Sequence, residues 1–344
     1  PAAAAAGRHG DGHQLQNWLL GVIALGIVLT MLVQARFLLI SLVVAIILFS
    51  LTADAIHAIA RLRLGPLHIP RWLASVVAVV LISSGLMTLS AIVVSEVNTV
   101  LSTALAYTAQ AEAGLAELFG WMGEDVQAAV VAAIRTIDFG GYLRAAAGQA
   151  GNILSATVLI ILFVGFLFVE RLWFDTKLRN LTGDAERAER IEEIIGSIMR
   201  RVNRYLLVKT LVSLLTGALV YLLMRGLGFQ FAEASGILTF VLNYIPNVGS
   251  IVATILVTLI ALVQAVEPAT AAAVFVAVTA VQFAVGNVMD PILMGRALRL
   301  SSFGILLSLA FWGAVWGVPG MFLSVPIMVA IMIVCSHVPM LRPM

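Results

Sequence analysis

The stretch NYIPNVGS (243–250) carries a proline, a glycine and two asparagines, and it sits inside a run, 234–266, that holds no charged side chain. A continuous helix over that run would be about 50 Å long, against roughly 30 Å for a hydrocarbon core. The segment must therefore tilt strongly, protrude, break or fold back. Cut at Pro246 to Gly249, it yields pieces of roughly 20 and 25 Å, neither of which spans comfortably. Unwinding frees backbone groups that lipid cannot satisfy, so such a break is tolerated only inside protein or beside a water-filled cavity.

The surrounding composition calls for lipid as solvent. Of 344 residues, 61% are hydrophobic and 11% charged, where soluble domains carry about 25% charged residues. Uncharged runs of spanning length recur along the chain without the alternation of a β-barrel, so the spanning elements are helices. The expected fold is an all-α polytopic membrane protein with about eight transmembrane or re-entrant helical segments, two of them broken hairpins. A net charge of +2 shows no basic face for nucleic acid, and the single Cys335 allows no intrachain disulfide.

Charge-free runs place spans at 15–33, 37–53 and 72–95, the three helices of a region 15–95. A fourth follows at 153–169, a fifth at 206–224 and another at 268–289. Residues 1–14 read as a disordered tail and 337–344 as a C-terminal tail. The stretch 96–152 reads as amphipathic and extracytoplasmic, and 170–205 as a cytoplasmic amphipathic helix with Ile191, Ile194, Ile195, Ile198 and Val202 at three- and four-residue steps. Nine basic residues lie in 170–209, among them Lys209, whereas 96–152 holds Arg135 and Arg144 beside six acids. The first belongs inside and the second outside, which puts the N-terminus in the cytoplasm.

A second break interrupts the uncharged run 300–336 at WGAVWGVPG (312–320). Each broken run follows a span and a short linker, so 206–336 reads as two units of span plus broken helix. If each broken run folds back, Arg296 and Arg299 fall inside, in keeping with the positive-inside bias, and the two units become inverted copies. Secondary transporters bind substrate at broken helices in such an arrangement. The plainer reading is that Pro246 kinks a long helix and the asparagines bond to neighbouring helices.

Candidate binding positions are Asn243, Pro246, Asn247 and Gly249 at the first break and Pro319 and Gly320 at the second. Gln282, Asn287 and Asp290 join them from the span between. Asp290 has two readings: an intramembrane acid linked to an ion, or an N-cap followed by the N1 proline Pro291. His57 and His68 lack ligand spacing, so no metal site or cofactor is expected. No phosphate-binding loop and no nucleophile with a base at motif spacing is present, so no enzyme is expected.

LNYIPNVGSIVATI, together with NVMDPILMGRALRLSSFGILLSLAFWGAVWGVPGMFLSVPI and HIPRWLASVVAVV, resembles the autoinducer-2 exporter family of bacterial membrane transporters from Trp18 onward. Members often carry proline where Ser250 stands. The resemblance implies an inner-membrane homo-oligomer, with a pentamer as the candidate number, that exports a small polar solute such as the quorum-sensing signal. Its partners would be that solute or an ion, and membrane lipids. The motif positions carried over are Asn243, Pro246, Asn247, Gly249, Asn287, Pro291, Gly295, Pro319 and Gly320. A sodium-proton antiporter, a channel and a non-transporting scaffold are the alternatives.

Overall fold

In the computed structural model, residues 2–61, 63–64, 67–68, 71–106, 129, 132, 139–265, 267–294 and 301–337 are described. The elements are α1 (Ala2–Gln34), α2 (Arg36–Arg61), a two-residue strand pair (Arg63–Leu64 with Leu67–His68), α3 (Arg71–Ala106), α4 (Phe139–Thr182) and α5 (Ala185–Gly226). They continue as α6 (Ala232–Leu242), α7 (Val248–Gln264), α8 (Pro268–Ala284), one turn of π-helix (Val285–Met289), α9 (Asp290–Met294), α10 (Ser302–Trp316) and α11 (Val318–His337). Among the described residues, seven helices are long and apolar enough to cross a membrane: Gln16–Gln34, Arg36–Asp54, Val76–Glu96, Asn152–Arg171, Ala185–Gly226, Ala269–Met289 and Val318–His337. Three shorter apolar helices, α6, α7 and α10, complete an all-α polytopic membrane protein.

Several boundaries differ from the expectation. The stretch read as a tail, 1–14, is helical from Ala2 onward, as its alanine run favours. The fourth span continues into the charged segment as far as Thr182, where Gly183 at φ 62 ends the helix. Asp184 then caps the next one, accepting from the Glu186 N–H at 3.0 Å, which satisfies one of the first-turn donors. From Ala185 the amphipathic stretch and the fifth span form one uninterrupted helix of 42 residues. Most of the stretch 107–138 and the residues after 337 lie outside the described residues.

Three apolar clusters hold the helices together. Ala45 on α2 meets Ile160 and Val164 on α4, and a buried hydrogen bond of 2.9 Å joins Ser90 on α3 to Thr157 on α4. Ile47, Val202, Tyr205, Trp316, Leu323 and Val329 gather α2, α5, α10 and α11. Val220, Met224, Val257, Ala261, Val274 and Val278 gather α5, α7 and α8. α6 joins by close backbone approach: a Cβ on Gly217 would lie 2.7 Å from the Gly236 carbonyl, and one on Gly236 2.9 Å from that of Gly217. Small residues at a crossing are the usual means by which helices approach in lipid, where burial of apolar surface gives no drive. Most apolar side chains of α1 between Trp18 and Met31 are exposed, as expected of a helix whose solvent is hydrocarbon.

Both broken runs fold back on themselves. In the first, α6 and α7 enclose a tip at 243–247, and their far ends are tied by the Gln230 N–H donating to Gln264 Oε1 at 2.8 Å. In the second, Met328 packs over Gly304, Ser308 donates to the Ser324 carbonyl at 2.8 Å, and Met321 packs over Gly313. The partner numbers fall as the others rise, so α10 and α11 are antiparallel legs. Both tips depend on backbone with positive φ. Pro246 and Val248 close a tight turn around Asn247, with the Val248 N–H on the Pro246 carbonyl at 2.6 Å and Asn247 at φ 59, ψ −53. That is a three-residue γ-turn geometry, rare because it is strained. Gly317 turns the second tip at φ 66, ψ −145, a region that only glycine enters readily.

The two tips also share a contact. The Cβ position of Gly249 falls on the carbonyl of Leu242, and that of Gly320 on the carbonyl of Trp312. In both hairpins the returning helix therefore starts with bare backbone laid on the end of the outgoing one.

Candidate functional site

α5 passes through the membrane domain with a polar face. Tyr205, Lys209, Ser213 and Thr216 recur at steps of four, four and three, so they lie on one side of the helix, and all four are buried. The first hairpin presents its tip to this face. The Asn243 amide donates to Ser213 Oγ at 3.2 Å and Thr216 Oγ1 at 3.4 Å, and the Tyr244 hydroxyl donates to Thr210 Oγ1 at 2.7 Å.

The second hairpin reaches the same place. The Tyr244 ring stacks on Phe322 of α11 with centroids 4.7 Å apart and planes 17° apart, and it meets Phe240 edge to face with planes 89° apart. Phe322 lies little more than a turn beyond the second tip, so the two breaks meet. Trp316, at the end of α10, anchors that tip by donating to the Leu32 carbonyl of α1 at 3.0 Å.

From the span between the hairpins comes the acid. The π-turn Val285–Met289 delivers Asp290 to α5, where Lys209 donates to its Oδ2 at 3.2 Å. The Lys209 side chain is 6% exposed and that of Asp290 25% exposed. A π-turn inserts an extra residue into the helical ladder and re-aims the side chains beyond it, a device frequent at functional sites. Asp290 has helical backbone angles, φ −54 and ψ −52, and its carboxylate faces Lys209. It therefore does not act as the N-cap that the Asp-Pro dipeptide suggests. Pro291 lies in α9, and Gly295 lies outside the described residues.

The remaining positions divide. Asn243 is buried on α5, whereas Asn247 is exposed at the tip. Pro246 is half-buried and Pro319 exposed, while Gly249 and Gly320 are buried at the backbone crossings. Gln282 is buried on α8 with its amide nitrogen unpaired among the described residues. Asn287 is exposed in the π-turn and donates to the Phe283 carbonyl of its own helix at 3.2 Å. The structure thus gathers Asn243 and Asp290 on α5 and leaves Asn247, Asn287 and Pro319 facing outward. Lys209, counted as one of the cytoplasmic basic residues, is the partner that sequence reasoning missed. Its signal was the lysine within LLVKTLVSLL (206–215), in register with Tyr205 and Ser213.

The profile of the AI-2E family transporter matches residues 20–340. The chain belongs to the AI-2E transporter family. Among curated relatives, a Borreliella burgdorferi protein named "Putative transport protein" is 30% identical over 61% of this chain and 59% of its own length. "AI-2 transport protein TqsA" of Escherichia coli K12 is 33% identical over 54% of this chain and 53% of its own. "Putative transport protein YhhT" of the same organism is 37% identical over 38% of this chain and 37% of its own. The AI-2E chain thus spans 59% of the first of these relatives and 53% of the second, roughly half their length.

Proposed function

We propose that this protein is a secondary transporter of the bacterial inner membrane that moves a small polar solute outward, with autoinducer-2 as the candidate. The observation that carries the reading is the meeting of both hairpin tips, through Tyr244 and Phe322, beside the α5 face that carries Lys209 and receives Asn243 and Asp290. Irregular backbone at membrane depth is tolerated only inside protein or beside a water-filled cavity, and here two such breaks converge on buried polar groups. The name of the Escherichia coli relative supports autoinducer-2 as cargo.

On this reading the units α5–α7 and α8–α11 are inverted copies that move against α1–α4, giving alternating access. The basic segment 170–209 and the N-terminus face the cytoplasm. The open apolar faces of α1, α3 and α4 meet lipid and neighbouring subunits of a homo-oligomer, with five copies as the candidate number. Purified protein in liposomes loaded with autoinducer-2 is expected to release it with saturable kinetics, at a rate well above that of protein-free liposomes. Release at the protein-free rate would remove autoinducer-2 as the cargo.

A further inference from the structure

The Lys209–Asp290 pair has hydrogen-bonding capacity left over. Lysine carries three N–H donors, and among the described residues the Lys209 ammonium uses one, on Asp290 Oδ2. Asp290 Oδ1 is shielded from solvent and, among the same residues, has no donor. A shielded carboxylate oxygen without a partner is costly, so the site favours whatever supplies an O–H or N–H to it. Among the described residues, the neighbouring groups add hydroxyls and no further full charge: Tyr205, which interacts electrostatically with Asp290 and Tyr244, then Tyr244 itself, Thr210 and Ser213. The pair sums to zero.

We propose that Lys209 and Asp290 are the charge-selecting element of the pathway. They admit an uncharged solute that bears both a donor, for Asp290 Oδ1, and an acceptor, for the spare Lys209 N–H groups, and they exclude ions. An anion attracted by the ammonium meets the carboxylate, and a cation attracted by the carboxylate meets the ammonium. Neither gains enough to offset its own desolvation in a low-dielectric site. A hydroxyl compound, which both donates and accepts, surrenders only ordinary hydrogen bonds to water and recovers them from the pair. This specificity rests on the transport reading above, but its test reads binding and not flux.

The test is thermal unfolding of the purified full chain in detergent, with gluconate replaced by nitrate at constant ionic strength, and with N-methylglucamine replaced by guanidinium at low concentration. Wild type and K209Q/D290N, both neutral at the site, should show no specific shift with either ion. D290N, which leaves the lysine alone, should gain roughly 3 °C with nitrate, saturably. K209Q should gain similarly with guanidinium and not with nitrate. The two single variants report opposite signs, so either one that folds suffices. Stabilisation of wild type by nitrate equal to that of D290N would overturn the proposal, and so would flat responses from the single variants that fold. Absence of solute release from liposomes, with these shifts present, would instead count against transport.

Discussion

Gly249→Ala is expected to prevent the protein from reaching its folded state, and Gly320→Ala to do the same. In each case the added methyl coincides with a backbone carbonyl, of Leu242 or of Trp312. A flexible side chain could swing aside, but a carbonyl at a helix end moves only if the hairpin opens. The loss should exceed about 4 kcal/mol, in the range reserved for named structural failures. Gly85→Ala and Gly165→Ala are the controls, because nothing lies within 4 Å of their Cβ positions. They should stay within about 0.5 kcal/mol of wild type or gain slightly in helix propensity. Monodisperse yield on size exclusion and the unfolding midpoint in detergent separate the two pairs. A well-folded Gly249→Ala protein would show that the hairpin is not laid on its own outgoing leg.

The second large effect concerns the buried ion pair. Asp290→Asn leaves a buried ammonium without its counter-charge, and Lys209→Gln leaves a carboxylate that already has one oxygen unpaired among the described residues. Each single change should cost about 3–5 kcal/mol, because removal of one partner exposes the desolvation penalty of the other. The double change K209Q/D290N should cost much less than the sum, since neutral partners remove that penalty together. A double-mutant cycle of unfolding free energies measures this. Additive losses would mean that the two groups do not act as a pair.

Much of the fold could be read from charge and length. Spans appear wherever uncharged runs reach some 20 residues, and the two breaks were visible because Pro246, Gly249, Gly317 and Gly320 stand in runs too long for one crossing. Folding back rests in the sequence on loop charge, Arg296 and Arg299 inside and no Lys or Arg at 264–268 outside, and the Gln230 to Gln264 hydrogen bond carries it for the first hairpin. The asparagines were harder. Asn243 and Asn247 lie four apart, a spacing that shares a face on a continuous helix, but the γ-turn at Asn247 breaks the helix and turns one inward and the other outward.

Lys209 was not legible as a site residue. Its partner is 81 residues away, and a lysine near the end of a basic segment looks like a loop charge until α5 is known to be continuous from Ala185. Asp290 misled for a local reason: Asp-Pro is a strong helix-start signal, and nothing in VGNVM announces a π-turn that carries the helix through it. Pairing across the fold decided both residues, where local propensity could not.

The central claim, that transport runs where the two hairpin tips meet, has a direct measurement. With Cys335 replaced by serine, cysteines at Tyr244 and Phe322 are joined by a short thiol-specific cross-linker, and autoinducer-2 release from proteoliposomes is followed before linking, after linking and after reductive cleavage. Release should fall to the protein-free rate once the tips are tied and return on cleavage. Full release from protein whose cross-link has formed would contradict the account.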